Sequence, residues 1–214
     1  MSDRDSKPRR LPLQSRSREL VRAIVEAAGR IVSADPEAEG GGSRGFSTNH
    51  VARLAGVSIG SLYQYFPSKS AIVAALAHAR LRDTFEPLLD DIAVSSGRSL
   101  EDAISRLVDR FLAMKIANDR VDAGVVKATL HHGLTDDAFA LDEPYVERFA
   151  AAIERWKPRV RDDLPSDVAA FILFQSLRAT MILGALHRPA LLADERLAKE
   201  LKHLLLSYLS PRPL

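Results

Sequence analysis

In the stretch VSIGSLYQYFPSK, residues 57–69, hydrogen-bonding side chains crowd around one bare backbone position. Three aromatics, Tyr63, Tyr65 and Phe66, fall within four positions, although the chain as a whole is 6% aromatic, so the crowding is local. Wound as a helix at about 100° per residue, Leu62, Tyr65 and Phe66 share one side. Gly60, Tyr63 and Gln64 share the other, flanked by Ser61. Ile59 falls between the two and would either pack inward or touch a thymine methyl. The outer face therefore has donors and acceptors, no bulky charge, and open backbone at Gly60. Such a surface suits a DNA groove, where polar groups meet base edges and phosphates. It equally suits a short solvated helix whose tyrosines lie on neighbouring elements.

Other chemistries lack their residues. No glycine motif here follows a predicted strand, as a nucleophile elbow or a dinucleotide-binding loop requires, and there is no metal-ligand spacing. The chain has no cysteine, and none of its six histidines sits in an HExxH pattern. His131 and His132 are adjacent, so on a helix they point about 100° apart and make a poor chelating pair. The acid pairs Asp136-Asp137 and Asp162-Asp163 stand beside loop breakers, as solvated residues do. An enzyme, a metal site and a cofactor are not expected. The lack of cysteine suits a reducing cytoplasm. The N-terminus shows no apolar signal region, and runs such as AIVAALAHA and ATMILGAL fall short of the ~18–20 residues that span a bilayer. A cytoplasmic protein without a membrane partner is expected.

Charge is divided along the chain. Residues 1–82 carry 13 Lys and Arg against 7 Asp and Glu, and the remainder carries 17 against 21. A basic end on an acidic body fits contact with a polyanion, or a loose basic tail.

The elements that would position the outer face read as all-α. RSRELVRAIVEAAGRIVSA spaces Leu20, Ile24, Ala27 and Ile31 into one apolar stripe. The glycine-rich loop DPEAEGGGSRG, residues 35–45, stops it. A second helix, TNHVARLA, follows a Ser47 cap and closes at Gly56. Ser58 caps a third helix ending at Pro67, and Ser68 opens a fourth, stopped near Pro87. Helical patterns follow at about 99–118, 121–134, 142–157, 166–187 and 193–209. Two short helices joined by Gly56-Val57-Ser58 make a helix-turn-helix. Val57 plugs the angle between them and the small Ala52 permits their close approach.

FSTNHVARLAGVSIGSLYQYFPSKSAIV resembles the helix-turn-helix of the TetR family of bacterial transcriptional regulators. The similarity covers residues 16–80 closely and, beyond them, only the helical character and length. It implies a basic arm over 1–15, a three-helix DNA-binding domain over 16–67, and a larger helical regulatory and dimerisation domain over 68–214. It implies that Ser47 and Thr48 bind a phosphate, that Tyr63 donates its hydroxyl to another, and that Lys69 pairs with a third. Ile59, Gly60, Ser61 and Gln64 would then face the major groove, and Ser58, which caps their helix, counts with them among the DNA-binding residues. The loop at 35–45 is longer than the family's turn; it is a solvent loop, or Arg44 reaches the DNA backbone. Arg4, Lys7, Arg9 and Arg10 form an arm that reaches DNA beyond the half-site or stays disordered.

The implied function is a ligand-responsive regulator, a repressor, bound to a palindromic operator as a homodimer and released by a small-molecule effector. The alternative is a constitutive or partner-controlled DNA-binding protein without a small ligand. The dimer surface would be the helices at about 166–187 and 193–209, through Phe171, Phe174, Leu177, Met181 and Leu186 and through Leu197, Leu201, Leu204, Leu205 and Leu209. An effector cavity would draw on Phe111, Met114, Val126, Leu130, His131, Phe149, Trp156 and Phe174, each of which would serve as well in a plain core. Arg110 and Arg178 would pair with an acidic effector or with acids of the chain.

Overall fold

A computed structural model describes residues 15–34, 46–94, 99–117, 119–134 and 142–211. The N-terminal arm, with Arg4, Lys7, Arg9 and Arg10, and the 35–45 loop, with Arg44, lie outside the described residues. Those residues form helices and turns with no strand among them. The helices are α1 (Ser15–Ser33), α2 (Thr48–Ala55), α3 (Ile59–Tyr65), α4 (Lys69–Val94), α5 (Leu100–Ala117) and α6 (Asp119–His131). After them come α7 (Glu143–Trp156), α8 (Ser166–His187), the short α9 (Pro189–Leu192) and α10 (Glu195–Leu209). They divide into two compact units. One holds the chain to Leu81 together with Arg120–Ala140, the other Arg82–Asp119 and Leu141–Leu214.

The first unit is built on the α1 stripe. Ile24, Ala27 and Ala28 are buried in one cluster with Val51 and Ala52 of α2, Leu62 and Phe66 beside α3, and Ile72 and Leu76 of α4. Helix α6 closes the cluster with Val125. The closure is tight. A Cβ added at Gly124 would lie 2.2 Å from the Val32 carbonyl oxygen, so only glycine lets α6 cross the end of α1 there. Arg80 of α4 ties α6 further, its Nε donating to the Asp122 carboxylate at 3.0 Å.

The second unit centres on a ring cluster, where Phe85 stands 4.6 Å from Phe174 and Tyr145 is stacked on Phe174 at 6.2 Å. Phe111 and Phe149 complete it. The expected stop near Pro87 is corrected, because α4 runs on through it to Val94. Proline inside a helix costs about 3 kcal/mol. Leu88 and Leu89, both buried just beyond it, return about 1.5–3 kcal/mol each, so continuing the helix wins. Helix α6 ends earlier than the apolar pattern suggests, at His131, because Gly133 takes a left-handed φ of 64°.

By length and composition α8 is apolar enough to cross a membrane, although Gln175 and Arg178 break it into the shorter runs noted above. Its inner face, through Ala169, Ala170, Leu173, Phe174 and Leu177, is buried within the second unit. Five of the side chains named for the dimer surface, Phe174, Leu177, Leu201, Leu205 and Leu209, are core residues of their own unit. A helix apolar all round still has an inside. What it leaves outward is Val168, Phe171, Ile172 and Leu183, with Leu204 of α10.

Candidate nucleic-acid interface

Local chemistry fixes α2 and α3 before any packing does. Ser47 Oγ accepts from the His50 N–H at 3.1 Å, capping α2 and leaving its own hydroxyl proton free to donate outward. Gly56 ends α2 at φ 68°, a left-handed conformation that glycine adopts without strain. Ser58 then caps α3 by accepting from the Ser61 N–H at 3.0 Å. The Ser58 and Ser61 hydroxyls are also 2.8 Å apart. Ser68 accepts from the Ala71 N–H at 3.1 Å, so α4 begins with Lys69 at its exposed first turn.

Within α3 the sides separate as their spacing requires. Leu62 and Phe66 are 0% exposed, whereas Tyr63 is 43% and Ile59 39% exposed. Gln64 and Gly60 are also exposed. Tyr65 is half-buried and its hydroxyl donates to Ser17 Oγ of α1 at 3.1 Å, a strut between helices. Ile59 thus stands outward with the polar residues.

One pairing across the two helices is between hydroxyls. Thr48 Oγ1 and Tyr63 Oη are 3.1 Å apart, joining the start of α2 to the outer face of α3. Each oxygen carries one proton, and the mutual bond uses only one of them. Whichever group donates, the other proton remains for an outside acceptor. With the N-terminal amides of α2 beside it, this corner is built to receive an anion such as a phosphate oxygen.

Gly60 carries a second signal. A Cβ there would meet nothing nearer than Ser58 Oγ at 3.8 Å, an ordinary contact. Nothing among the described residues demands glycine there, and the bare backbone leaves clearance on the outer face of α3. Gly60→Ala is expected to stabilise the fold by roughly 0.5–1 kcal/mol through helix propensity while weakening DNA binding. Urea unfolding and a duplex titration check the two halves. A rise in both stability and affinity would remove the clearance role.

His132, just beyond α6, packs near the residue that precedes the Ser47 cap. Its ring meets Phe46 edge-on at 6.5 Å and lies 5.2 Å from His131. Burial first, then the charges of His131 and Lys69, hold its pKa below the ordinary 6.5. The unfolded chain therefore takes up this proton first as pH falls. Stability from neutral His132 is complete above about pH 6.5 and is lost below it, toward the depressed value. Urea midpoints should drop as pH falls through about 6.5 and below, and drop less in His132→Asn. An equal drop in both would clear His132.

The residues expected around an effector divide between the units. Phe111, Met114, Phe149, Trp156 and Phe174 belong to the second, where Phe111 and Phe174 are fully buried and Phe149 and Trp156 border a cavity. Val126, Leu130 and His131 lie on α6, which is counted with the first unit, and Leu130 and His131 are exposed. Arg110 and Arg178 have acids of the chain as partners: Arg110 pairs with Asp91, and Arg178 Nε lies 3.0 Å from Asp142 Oδ1. No group of three or more His, Asp or Glu side chains among the described residues could hold a metal ion.

Comparison with known proteins agrees over both parts of the chain. The family described as "Bacterial regulatory proteins, tetR family" matches residues 37–76. "Tetracyclin repressor-like, C-terminal domain" matches residues 99–209, just over half of the chain. An HTH-type transcriptional regulator of Staphylococcus aureus (strain MRSA252) is 24% identical over 98 residues, which are 46% of this chain and 49% of that protein. The chain thus spans about half the length of that curated relative. Among solved structures, a TetR-family transcriptional regulator from Mesorhizobium loti MAFF303099 has a TM-score of 0.69 at 16% identity, over 92% of this chain and 100% of that one. The regulator FadR from Bacillus subtilis, in complex with stearoyl-CoA, has a TM-score of 0.66 at 15% identity, over 88% and 98%. At such identities the likeness is one of fold.

Proposed function

Because the chain belongs to the TetR family of bacterial regulatory proteins, we propose that it represses transcription as a homodimer on a palindromic operator and is released by a small-molecule effector. The observation that carries the DNA contact is the Thr48–Tyr63 hydroxyl pair, with one proton left over at the start of α2. Around it Ser47 and Lys69 hold further phosphates, while Ile59, Gly60, Ser61 and Gln64 face the major groove and Ser58 holds the helix that presents them.

A seven-residue helix reads only a few base pairs, so specificity needs two copies related by a two-fold axis. The outward apolar side chains of α8 and α10, with Phe171 at 55% and Leu204 at 53% exposed, suit an interface in which two helices from each protomer form a four-helix bundle. Such a dimer would act on DNA in the cytoplasm. The FadR structure holds stearoyl-CoA, which supports an effector with apolar bulk for the second unit here. An effector that prefers one spacing of the two reading heads shifts the population toward the DNA-free state.

Thermal unfolding against a metabolite panel, paired with operator release, tests this reading. A compound that raises Tm and frees the operator supports it. A panel with no linked effect favours constitutive or partner-controlled binding instead.

A further inference from the structure

The second unit has a cavity of about 50 Å³, partly open to solvent, whose lining residues are all apolar. Phe149, Ile153 and Trp156 of α7, Val160, Leu173 of α8 and Leu209 of α10 are among them. We propose that it takes the end of an alkyl chain belonging to an amphipathic carboxylate, with Arg161 holding the head group. The proposal rests on the reading of this unit as the effector domain, and names the effector's chemical class.

The walls decide the tail. They offer a ligand hydroxyl no partner, so one buried there would lose roughly tenfold or more in affinity. Each methylene buried gains about fourfold. The volume is about a third of the 150 Å³ that admits benzene in an engineered apolar cavity, so a thin chain end enters and a ring does not.

Arg161 decides the head. It follows Val160 in the chain, and its backbone N–H donates to the Leu209 carbonyl at 2.9 Å, which fixes it beside two wall residues. Its guanidinium lies over the Tyr208 ring, 5.2 Å from the centroid. Nη1 reaches Asp163 at 3.1 Å; Arg161 is 19% but Asp163 67% exposed, and a pair whose acid stands in water holds weakly. Nε is buried and has no hydrogen-bond partner among the described residues. A planar guanidinium whose Nε lacks a partner suits a carboxylate better than a neutral head. Arg159, 5.1 Å over the Trp156 ring, adds a second positive charge near the same wall.

Trp156 is the chain's single tryptophan, so its emission reports on the cavity directly. The full-length protein is titrated with ω-bromododecanoic acid below its micelle concentration, then with dodecanoic acid as competitor and 1-dodecanol as the uncharged probe. Saturable heavy-atom quenching is expected, with dodecanoate displacing the probe about tenfold or more better than dodecanol. Arg161→Gln should bring dodecanoate down to dodecanol and leave dodecanol unchanged, and Ala152→Leu, which fills the cavity, should abolish quenching. Arg161→Gln removes no wall of the cavity and keeps the test open if Ala152→Leu fails to fold. Absence of quenching, or quenching with no preference for the carboxylate, overturns the proposal. Quenching that leaves operator affinity unchanged upholds the site and overturns the effector reading instead.

Discussion

Tyr63→Phe lowers affinity for every duplex alike, by about 1.5–3 kcal/mol or roughly ten- to hundredfold, the worth of a hydrogen bond to a charged group. The ring stays and the phenolic oxygen goes. Thr48, which faces that oxygen at 3.1 Å, then keeps its proton but loses the partner that aims it. Thr48→Val should therefore cost much less in the Tyr63→Phe background than alone, since the two hydroxyls act as one donor. Salt separates this pair from Lys69. The hydroxyls carry no charge, so Tyr63→Phe leaves the slope of log K against log salt unchanged, whereas Lys69→Gln reduces it by about one. Titrations at several salt concentrations, on specific and random duplexes, measure all three effects. A Tyr63→Phe loss confined to one sequence would make the hydroxyl a base reader. Binding indifferent to salt would remove the phosphate scheme altogether.

Arg178→Met is expected to cost about 3–5 kcal/mol of stability, because it strands a buried carboxylate. The side chains of Arg178 and Asp142 are 9% and 5% exposed and lie 3.0 Å apart, with Gln175 Nε2 donating to Asp142 Oδ2 at 3.1 Å. Burial raises the Asp142 pKa, against the opposing pull of Arg178 and Gln175, and burial lowers that of Arg178. Both directions say that taking the charges out of water outweighs their attraction. Replacing both groups, as Arg178→Met with Asp142→Leu, should then recover most of the loss. The pH dependence carries a definite sign. A carboxyl whose folded pKa is raised binds its proton more readily folded than unfolded, so its penalty fades as pH falls through the raised value toward the ordinary 3.8. The Arg178→Met deficit should shrink on acidification. Urea unfolding at several pH values measures it, and a deficit below about 1 kcal/mol that ignores pH would mean a solvated pair.

The α2–α3 pair was legible because its signals are local. Serine caps at 47, 58 and 68, the left-handed Gly56 and the one-sided grouping of Leu62, Tyr65 and Phe66 each act within four residues of themselves. Ile59 lay between the inner and outer sides of an idealised helix, and only the packed structure turned it outward. What escaped notice depends on contacts distant in sequence. Gly124 is one glycine in an ordinary helical pattern until α1 is laid against it, so nothing marked α6 as part of the first unit. The proline rule failed at Pro87 because the burial of Leu88 and Leu89, invisible in a local window, outweighs one missing hydrogen bond. The pairing of Arg178 with Asp142 has the same character, for no spacing in the chain announces it. The inner and outer faces of α8 were confused for a related reason: its apolar side chains run nearly all round, so periodicity gave no direction.

The central claim is that α3 presents Ile59, Gly60, Ser61 and Gln64 to a groove, twice, across a two-fold axis. Selection of bound duplexes from a random pool, with the unaltered protein and with Gln64→Ala, tests it most directly. The account predicts an enriched palindrome whose half-site centres lie about one helical turn, or a multiple of one, apart. Gln64→Ala should relax one base pair in each half-site, by about 1–3 kcal/mol of discrimination, and leave the rest unchanged. Enrichment of an asymmetric site, or a palindrome that Gln64→Ala leaves intact at every position, would contradict it.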